Sequence, residues 1–325
     1  MEFDLIELIR ARTAQPRGDV ALGIGDDAAL LNLPAGQQLV ACTDTLVEGV
    51  HFPRGTAPQD LGWKSLAVNL SDLAAMGATP AWAMLALTLP HADQRFVEAF
   101  AEGFAQLART HAVALVGGDT TRGPLSVTVS AFGFVPENRA LLRSGARVND
   151  AVFVTGTLGD AAAALRLMRD SGLGARDSIN EQARAELLSR LNRPEPRIAA
   201  GLALRDVASA CIDVSDGLLA DLGHLCAASG AGALIEADAL PFSSAMFALF
   251  NSEERRAFAL GGGDDYELCF TASVDRADRL SADFARLGFG ALRIGRIVAE
   301  PGVRVRDAHG NTVETSRRGW QHFAS

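Results

Sequence analysis

Short apolar segments typical of buried strands alternate along this chain with longer segments whose apolar residues follow a helical period. The segment QLVACTDTLV (Gln38 to Val47) predicts a buried strand with Asp44 at its end, and residues 60–76 predict a helix with one apolar face. Further strands are predicted at 151–156 and 209–214, each running into a helix. Because strands that alternate with helices pack against them in layers, the alternation predicts an α/β fold.

The other predicted elements continue this alternation. Strands are predicted at 82–89, 114–117, 125–135 and 233–236 and helices at 92–110, 181–191, 197–205 and 277–287, with further helices beginning at Asp160 and near Asp216 and short strands beside a turn at 309–311. A polar link at 138–150 separates two such series, and 325 residues are enough for two domains. We therefore expect an N-terminal domain at 1–147 and a C-terminal domain at 148–325.

Two pairs of segments repeat a pattern across the chain. GIGDDAAL resembles GGGDDYEL, and NLSDL resembles DVSDGL. The repetition is open to two interpretations, namely two similarly built halves or a chance likeness.

The charge and cysteine content exclude several classes of partner and location. With 39 acidic and 30 basic residues and a pI near 5.2, the surface repels nucleic acid and anionic lipid, so neither is expected as a partner. The four cysteines form no CxxC pair, as expected of reduced thiols. No apolar run approaches the roughly 18 residues that a membrane span needs, and the first residues lack a basic leader segment. We expect a cytoplasmic protein.

Six aspartates stand beside glycine turns, at predicted strand ends or on a helix face. They are Asp27, Asp44, Asp72, Asp119, Asp213 and Asp216. Any one of them alone could equally cap a helix or a turn. Together they indicate magnesium, because Mg²⁺ takes one or two carboxylates plus substrate phosphates, whereas clustered carboxylates without cations repel one another. The set predicts several Mg²⁺ ions and a polyphosphate.

The P-loop and the protein-kinase modes of phosphate binding are excluded by the sequence. The chain has no GxxxxGK[ST] loop and no protein-kinase motif set, and its only lysine is Lys64. The remaining candidates are glycine turns at Gly117–Gly118 and at 261–263, the start of the helix at Ser215–Asp216, and the side chains of Arg122 and Arg143. Zinc spacings, nucleophilic triads and an EF-hand register are absent from the sequence.

Seven segments in order resemble the thiamine-monophosphate kinase family, which belongs to the wider aminoimidazole ribonucleotide synthetase-like group. They are GIGDDAALL, TDTLVEGVHF, NLSDLAAMGATPAW, GGDTTRG, VTGTLGD, DVSDGLLADLG and GGGDDYELCF, and the closing RRGWQHF extends the match. The resemblance implies an N-terminal α/β domain that contributes to a β-barrel spanning a homodimer, followed by a C-terminal α/β domain. It also implies that the N-terminal domain binds ATP and magnesium and forms the dimer.

The resemblance implies roles for individual residues. The implied magnesium ligands are Asp27, Thr43, Asp44, Asp72, Asp119, Asp213 and Asp216; the implied ATP contacts are Gly118, Asp119, Arg143 and Ser215; and the implied thiamine phosphate contacts are His51, Asp264 and Trp320. Two positions depart from the family pattern, because Cys42 stands where relatives can carry serine and Asp264 where glutamate is common. Apart from the resemblance, His51 could be a turn histidine satisfied by backbone, and Trp320 a C-terminal core anchor.

The implied reaction is ATP-dependent phosphorylation of thiamine monophosphate to thiamine diphosphate with release of ADP. A phosphomonoester loses its second proton near pH ~6, so the attacking oxygen needs no strong general base. We expect direct in-line transfer assisted by Mg²⁺, without a phosphoenzyme. The alternatives are a sibling ATP-dependent synthetase and a non-catalytic nucleotide–metal binding protein.

Overall fold

The computed structural model describes residues 2–169, 180–276, 284, 290–314 and 319–320. Apart from Phe284, the helix predicted at 277–287 lies outside the described residues, and so does RRGWQHF except for Gly319 and Trp320. The chain divides into a first unit of residues 1–73 with 78–140 and a second unit of 74–77 with 141–325.

The first unit contains a four-stranded sheet. Its elements are helices α1 (Glu2–Thr13), α2 (Pro58–Ala75) and α3 (Gln94–Thr110) and strands β1 (Val20–Leu22), β2 (Leu30–Leu31), β3 (Gln37–Val47), β4 (Thr79–Leu89), β5 (Ala114–Arg122) and β6 (Ser126–Pro136). The strand order is β3-β6-β4-β5, with β4 and β5 parallel and the other pairs antiparallel. Strands β1 and β2 form a separate antiparallel pair.

Strand β3 does not end at Asp44 but continues to Val47. It pairs with β6 without interruption from Gln37, opposite Pro136, to Val47, opposite Ser126. Asp44 therefore lies within a strand, opposite Val129, and its prediction as a strand end was wrong.

Strand β5 also continues beyond its predicted end. Gly117 and Gly118 were predicted to form a turn, but they lie inside β5, which pairs with β4 as far as Arg122. At Gly118 the backbone φ is +149°, and an added Cβ would stand 1.8 Å from the carbonyl oxygen of Leu85. Glycine is therefore required here by close strand packing, at an irregular point in the β4–β5 pairing.

The helices of the first unit pack closely through two glycines. A Cβ on Gly62 in α2 would stand 2.0 Å from the carbonyl oxygen of Phe100, and one on Gly103 in α3 would stand 1.8 Å from that of Gln59. Helix α3 begins after Asp93. The Asp93 carboxylate accepts hydrogen bonds from the backbone N–H groups of Arg95 and Phe96, as an N-cap does.

Two polar side chains of α2 are buried in the first unit. Ser65 and Asn69 of α2 are buried, and the Asn69 amide donates to the carbonyl oxygen of Ser65 at 3.1 Å. Asp72, on the same helix, is partly exposed.

The second unit contains a six-stranded sheet. Its elements are helices α4 (Asp160–Arg169), α5 (Glu181–Asn192), α6 (Ile198–Leu204), α7 (Leu218–Ser229), α8 (Ser244–Leu249) and α9 (Ser252–Gly261), a 3₁₀ turn (Ala237–Ala239), and strands β7 (Ala151–Thr155), β8 (Ala210–Asp213), β9 (Gly232–Glu236), β10 (Leu268–Ala272), β11 (Ala291–Val298) and β12 (Gly302–Arg306). The order is β12-β9-β11-β7-β10-β8, and only β12 pairs with β9 in parallel. Every residue of β7, β8 and β10 is buried.

These elements confirm the predicted α/β fold. They do not support two similarly built halves, because the sheets differ in strand number and order. The NLSDL segment lies inside α2, whereas DVSDGL runs from β8 through a loop into α7. Among the described residues, the helices are all too short or too polar to cross a membrane.

Candidate active site

Two carboxylates and a thiol meet where β3 faces α2 in the first unit. The Cys42 thiol donates to the carbonyl oxygen of Asn69 at 3.3 Å. Burial first, and then the charges of Asp72 and Asp44, raise the pKa of Cys42 well above its usual range. The thiol is therefore neutral, and the charge at this point comes from Asp44 and Asp72.

Thr43 is held by the neighbouring strand. Its hydroxyl donates to the carbonyl oxygen of Val129 at 3.1 Å and lies 2.9 Å from the Ser130 hydroxyl. The side chain is exposed, so its position is set by these bonds rather than by burial.

Gly118 and Asp119 occupy the strand at the other edge of the same sheet. The cross-strand register runs from Asp44 through Val129 and Leu85 to Gly118, so two strands separate the pair from β3. Beside them lies a small pocket of about 60 Å³. Its walls are Ile6, Ile9, Ile24, Leu85, Leu115, Gly117, Gly118, Asp119 and Thr120. An apolar pocket with polar groups at one side is typical of a small-molecule site.

Asp27 and His51 lie on loops of the first unit. Asp27 is exposed, and its backbone N–H donates to the Asp26 carboxylate at 2.8 Å. The Nδ1 atom of His51 accepts a hydrogen bond from the Val47 N–H at 3.0 Å, so a neutral ring carries its proton on Nε2. The backbone bond that we considered for His51 is present, and it fixes the direction of Nε2.

In the second unit, the loop between β8 and α7 carries Asp213, Ser215 and Asp216. Asp213 ends β8 and is only 4% exposed. The carboxylate of Asp221, in helix α7 four residues after Gly217, accepts the N–H groups of Ser215, Asp216 and Gly217, each at 3.0 Å. The helix begins at Leu218 rather than near Asp216, and these three amides, which were predicted to bind an anion, bind a protein carboxylate.

The pKa of Asp221 is affected by the two predicted metal ligands beside it. Burial, followed by the charges of Asp213 and Asp216, raises the pKa of Asp221 to about 7, against the opposing effect of the backbone N–H donors. The three carboxylates therefore lie close together in this unit.

Asp264 and Trp320 are both tied to this loop by backbone bonds. The Asp264 N–H donates to the Ser215 carbonyl oxygen at 2.8 Å, and the Trp320 N–H donates to that of Asp216 at 3.0 Å. The side chain of Trp320 is 50% exposed, which rules out a role as a core anchor.

Tyr266 orients the Asp264 side chain. Its hydroxyl donates to Asp264 Oδ1 at 2.9 Å. Both residues have positive φ, +69° for Asp264 and +51° for Tyr266. Non-glycine residues in this region are uncommon and concentrate at functional sites.

Two of the glycines at 261–263 lie in closely packed backbone. A Cβ on Gly263 would stand 2.4 Å from the carbonyl oxygen of Ser215, and one on Gly262 would stand 2.4 Å from Ala162 Cβ. These glycines therefore allow the Ser215 loop to approach the segment that carries Asp264.

The carboxylates that follow Asp264 are structural. The Asp265 carboxylate accepts the Gly159 N–H at 2.8 Å, and Glu267 receives two hydrogen bonds from Arg197, at 2.6 and 2.7 Å. Burial raises the pKa of Asp265 well above its usual value, and nearby Asp160 and Glu267 add to this. A smaller pocket lies among Thr157, Asp160, Ala161, Arg190, Asp264, Asp265 and Glu267.

Arg143 is exposed and lies elsewhere on the second unit. Its carbonyl oxygen accepts the Ser229 hydroxyl at 3.2 Å, at the end of α7. Ser215 precedes the start of that helix, whose 12 residues span about 18 Å. The described contacts do not bring Arg143 and Ser215 together.

The donor chemistry of both units fits magnesium. Among the residues described by the structure, no three His, Cys, Asp or Glu side chains form a group that could hold a metal ion by themselves. Each unit instead gathers carboxylates close enough to raise the pKa of a neighbour, Cys42 in one and Asp221 in the other. Mg²⁺ uses one or two carboxylates with water and substrate phosphates, so such partial sets are suitable ligands.

Comparison with known proteins identifies the family. Family models of AIR synthase related proteins match residues 25–135 as the N-terminal domain and 147–308 as the C-terminal domain. A thiamine-monophosphate kinase of Salmonella typhimurium is 48% identical over 100% of this chain and 98% of that relative. The chain belongs to the thiamine-monophosphate kinase family. The resemblance read from its motifs is thereby confirmed.

Solved structures agree with membership of the thiamine-monophosphate kinase family. The crystal structure of the Stenotrophomonas maltophilia enzyme is 52% identical, with a TM-score of 0.87 over 96% of this chain and 98% of that one. A structure of AaThiL complexed with AMPPCP and TMP is 34% identical, with a TM-score of 0.77 over 99% and 97%.

The residues missed by sequence reasoning are the supports of the site. Asp221 and Tyr266 stand inside motifs of the thiamine-monophosphate kinase family, yet they were read as part of a helix and a strand. The available signal for Asp221 was an acid four residues after a glycine in an otherwise apolar helix start.

Proposed function

We propose that this protein transfers the γ-phosphoryl group of ATP to the phosphate of thiamine monophosphate, giving thiamine diphosphate and ADP. This would be the final step of thiamine diphosphate synthesis. One observation carries the proposal, namely family membership over the full chain, with 98% of the Salmonella relative covered. A relative that binds AMPPCP, an ATP analogue, together with TMP supports the same pair of substrates.

We place ATP at the pocket beside Gly118 and Asp119 in the first unit. The presence of Gly118 and Asp119 in the wall of the pocket and the apolar side chains around them support this position. In the second unit, Ser215 and Arg143 are the proposed ATP contacts, and the fixed Ser215 loop supports the first of them.

Thiamine monophosphate is assigned to His51, Asp264 and Trp320. The three side chains supply a fixed Nε2–H donor, an oriented carboxylate and a half-exposed indole. Thiamine carries a cationic thiazolium ring, which a carboxylate and an aromatic face both attract.

The residues that would hold Mg²⁺ are Asp27, Thr43, Asp44, Asp72 and Asp119 in the first unit and Asp213 and Asp216 in the second. Bound there, magnesium would neutralise the phosphates and stabilise charge in the transferring phosphoryl group. The chain's own part is to hold these carboxylates in fixed positions, as β3 does for Asp44 and β8 for Asp213.

No residue is assigned as a general base. The second pKa of a phosphomonoester is about 6, so the attacking oxygen is already ionised at neutral pH. Transfer is direct, and a phosphorylated protein trapped during a single turnover would overturn this step.

The first unit is proposed to form a homodimer, and the protein to reside in the cytoplasm. Strand β3 is an edge strand of 11 residues with Leu39 exposed, and β4 exposes Met84. A long exposed edge strand needs a cover, and a second copy supplies one. Light scattering should give twice the mass of one chain, while Leu39→Lys should shift the protein toward the monomer.

An assay of ADP release tests the proposal against its rivals. ADP should form with ATP, Mg²⁺ and thiamine monophosphate together and not when thiamine monophosphate is omitted. Asp44→Asn should lower kcat about 100-fold or more, because one charged ligand is lost. Asp93→Asn is the matched control, since asparagine also caps a helix and should preserve activity. ADP formed only with an aminoimidazole precursor would indicate a sibling synthetase, and no turnover with retained nucleotide binding would indicate a silent protein.

A further inference from the structure

Three consecutive backbone N–H groups converge on one carboxylate oxygen in the second unit. Oδ2 of Asp221 accepts the amides of Ser215, Asp216 and Gly217, each at 3.0 Å. The residue is 4% exposed, so the interaction is shielded from solvent. The start of a helix leaves backbone N–H groups without intrahelical partners, and this one oxygen satisfies three neighbouring N–H groups there.

The backbone conformation of the loop at 215–217 is also restricted at Gly217. Gly217 has φ +121°, a conformation that other residues rarely adopt, and a Cβ there would stand 2.9 Å from the carbonyl oxygen of Gly262. The carbonyl groups of the loop accept from Asp264 and Trp320 on the opposite side. The amide side of the loop is thus fixed by Asp221, and the carbonyl side fixes two proposed substrate contacts.

We propose that Asp221 is a positioning residue whose carboxylate holds Ser215 and Asp216 in the orientation that ATP and magnesium require. The inference rests on the proposed function for its ligands. Asp221 itself contributes no oxygen to ligand in this account, because Oδ2 is turned into the loop.

Three variants separate positioning from simple stability. Asp221→Ala removes the acceptor, while Asp221→Asn keeps an oxygen at the same reach but removes its charge. The matched control is Asp307→Ala, because the Asp307 carboxylate also accepts two backbone N–H groups, from His309 and Asn311, in a different turn of the same unit.

Two measurements on the full chain are needed. Amide hydrogen exchange reports the loop, and calorimetry with Mg²⁺ and AMPPCP reports nucleotide affinity without catalysis. In Asp221→Ala we expect exchange at 215–217 to rise at least about tenfold and the AMPPCP Kd to rise about 10- to 100-fold. Asp221→Asn should fall between this variant and the natural protein. The control should loosen only its own turn and keep the natural Kd.

The outcomes distinguish the inference from the proposed function. Loop exchange that does not change in Asp221→Ala, or a looser loop with natural AMPPCP affinity, overturns the positioning role. Should Asp221→Ala fail to fold, Asp221→Asn decides by the same two measurements. Absence of thiamine monophosphate phosphorylation by the natural protein would refute the proposed function, whereas the exchange and AMPPCP results would still decide the role of Asp221.

Discussion

The buried ion pair between Arg197 and Glu267 gives the sharpest prediction about stability. Two hydrogen bonds join the groups, at 2.7 Å from Nε and 2.6 Å from Nη2, and the side chains are only 15% and 3% exposed. Arg197→Met leaves a buried carboxylate with the Thr155 hydroxyl as its remaining neutral donor. Loss of one partner of a buried pair costs about 3–5 kcal/mol, and two charge-assisted hydrogen bonds at about 1.5–3 kcal/mol each give a similar figure.

Equilibrium unfolding in urea, followed by far-UV circular dichroism, measures this cost. A domain is stable by about 5–15 kcal/mol, so the expected loss is a large fraction of the total. The double variant Arg197→Met/Glu267→Gln should be more stable than Arg197→Met, because the second change removes the unpaired charge and keeps an acceptor for Thr155.

A surface pair in the first unit is the matched control. Arg109 and Glu102 form a 3.1 Å ion pair with side chains 52% and 43% exposed. Glu102→Gln should cost less than about 1 kcal/mol. The reasoning is refuted if Arg197→Met costs no more than this control, or if the double variant is the less stable of the two Arg197 variants.

Three further predictions concern the site and its supports. Gly118→Ala should abolish ATP binding, measured by calorimetry, because the added Cβ meets the Leu85 carbonyl oxygen. Gly117→Ala is the control and should bind ATP normally, because its Cβ would stand 3.5 Å from the flexible end of the Met84 side chain. Equal ATP affinities of the two variants would contradict this prediction. Tyr266→Phe should raise the KM for thiamine monophosphate about tenfold with unchanged circular dichroism, because Asp264 loses its orienting donor; an unaltered KM would remove that role. Because burial raises the pKa of Asp265 above 3.8, its contribution to stability is complete below about pH 3.8 and is lost as the pH rises through the raised value. Urea unfolding should therefore show a larger fall in stability above about pH 4 for the natural protein than for Asp265→Asn, and parallel curves would oppose it.

Local patterns predicted a strand or helix well where the residues of that segment alone determine where it begins and ends. The β3 segment was predicted at 38–47 and lies at Gln37–Val47, and the α3 segment was predicted at 92–110 and lies at Gln94–Thr110. Helix α9 was missed, although NSEE carries a capping box in which Asn251 and Glu254 bond reciprocally.

Two of the errors have a common physical cause, since each depended on a neighbouring group that the local backbone pattern does not show. Gly118 has the conformational freedom of a turn, but β4 lies alongside it and makes it part of a strand. The amides at 215–217 have the geometry of an anion site, but the carboxylate of Asp221 already occupies it. A glycine or a helix start shows which conformations and hydrogen bonds are possible for the backbone. The neighbouring residues in the fold determine which of them forms.

The acids of the site were found from sequence, while their supports were not. Asp44, Asp72, Asp213 and Asp216 were chosen by residue type and place, and each lies beside another carboxylate of its own unit. The roles of Tyr266 and Asp221 depend on the partners of their side-chain hydrogen bonds, which the structure shows. The individual ligand assignments stay predictions.

Phosphorus NMR of the natural protein with ATP, Mg²⁺ and thiamine monophosphate tests the central claim most directly. The account predicts that the monophosphate resonance of thiamine monophosphate declines while the paired resonances of thiamine diphosphate and of ADP grow in equal amounts. Growth of inorganic phosphate with an unchanged thiamine monophosphate signal would contradict it.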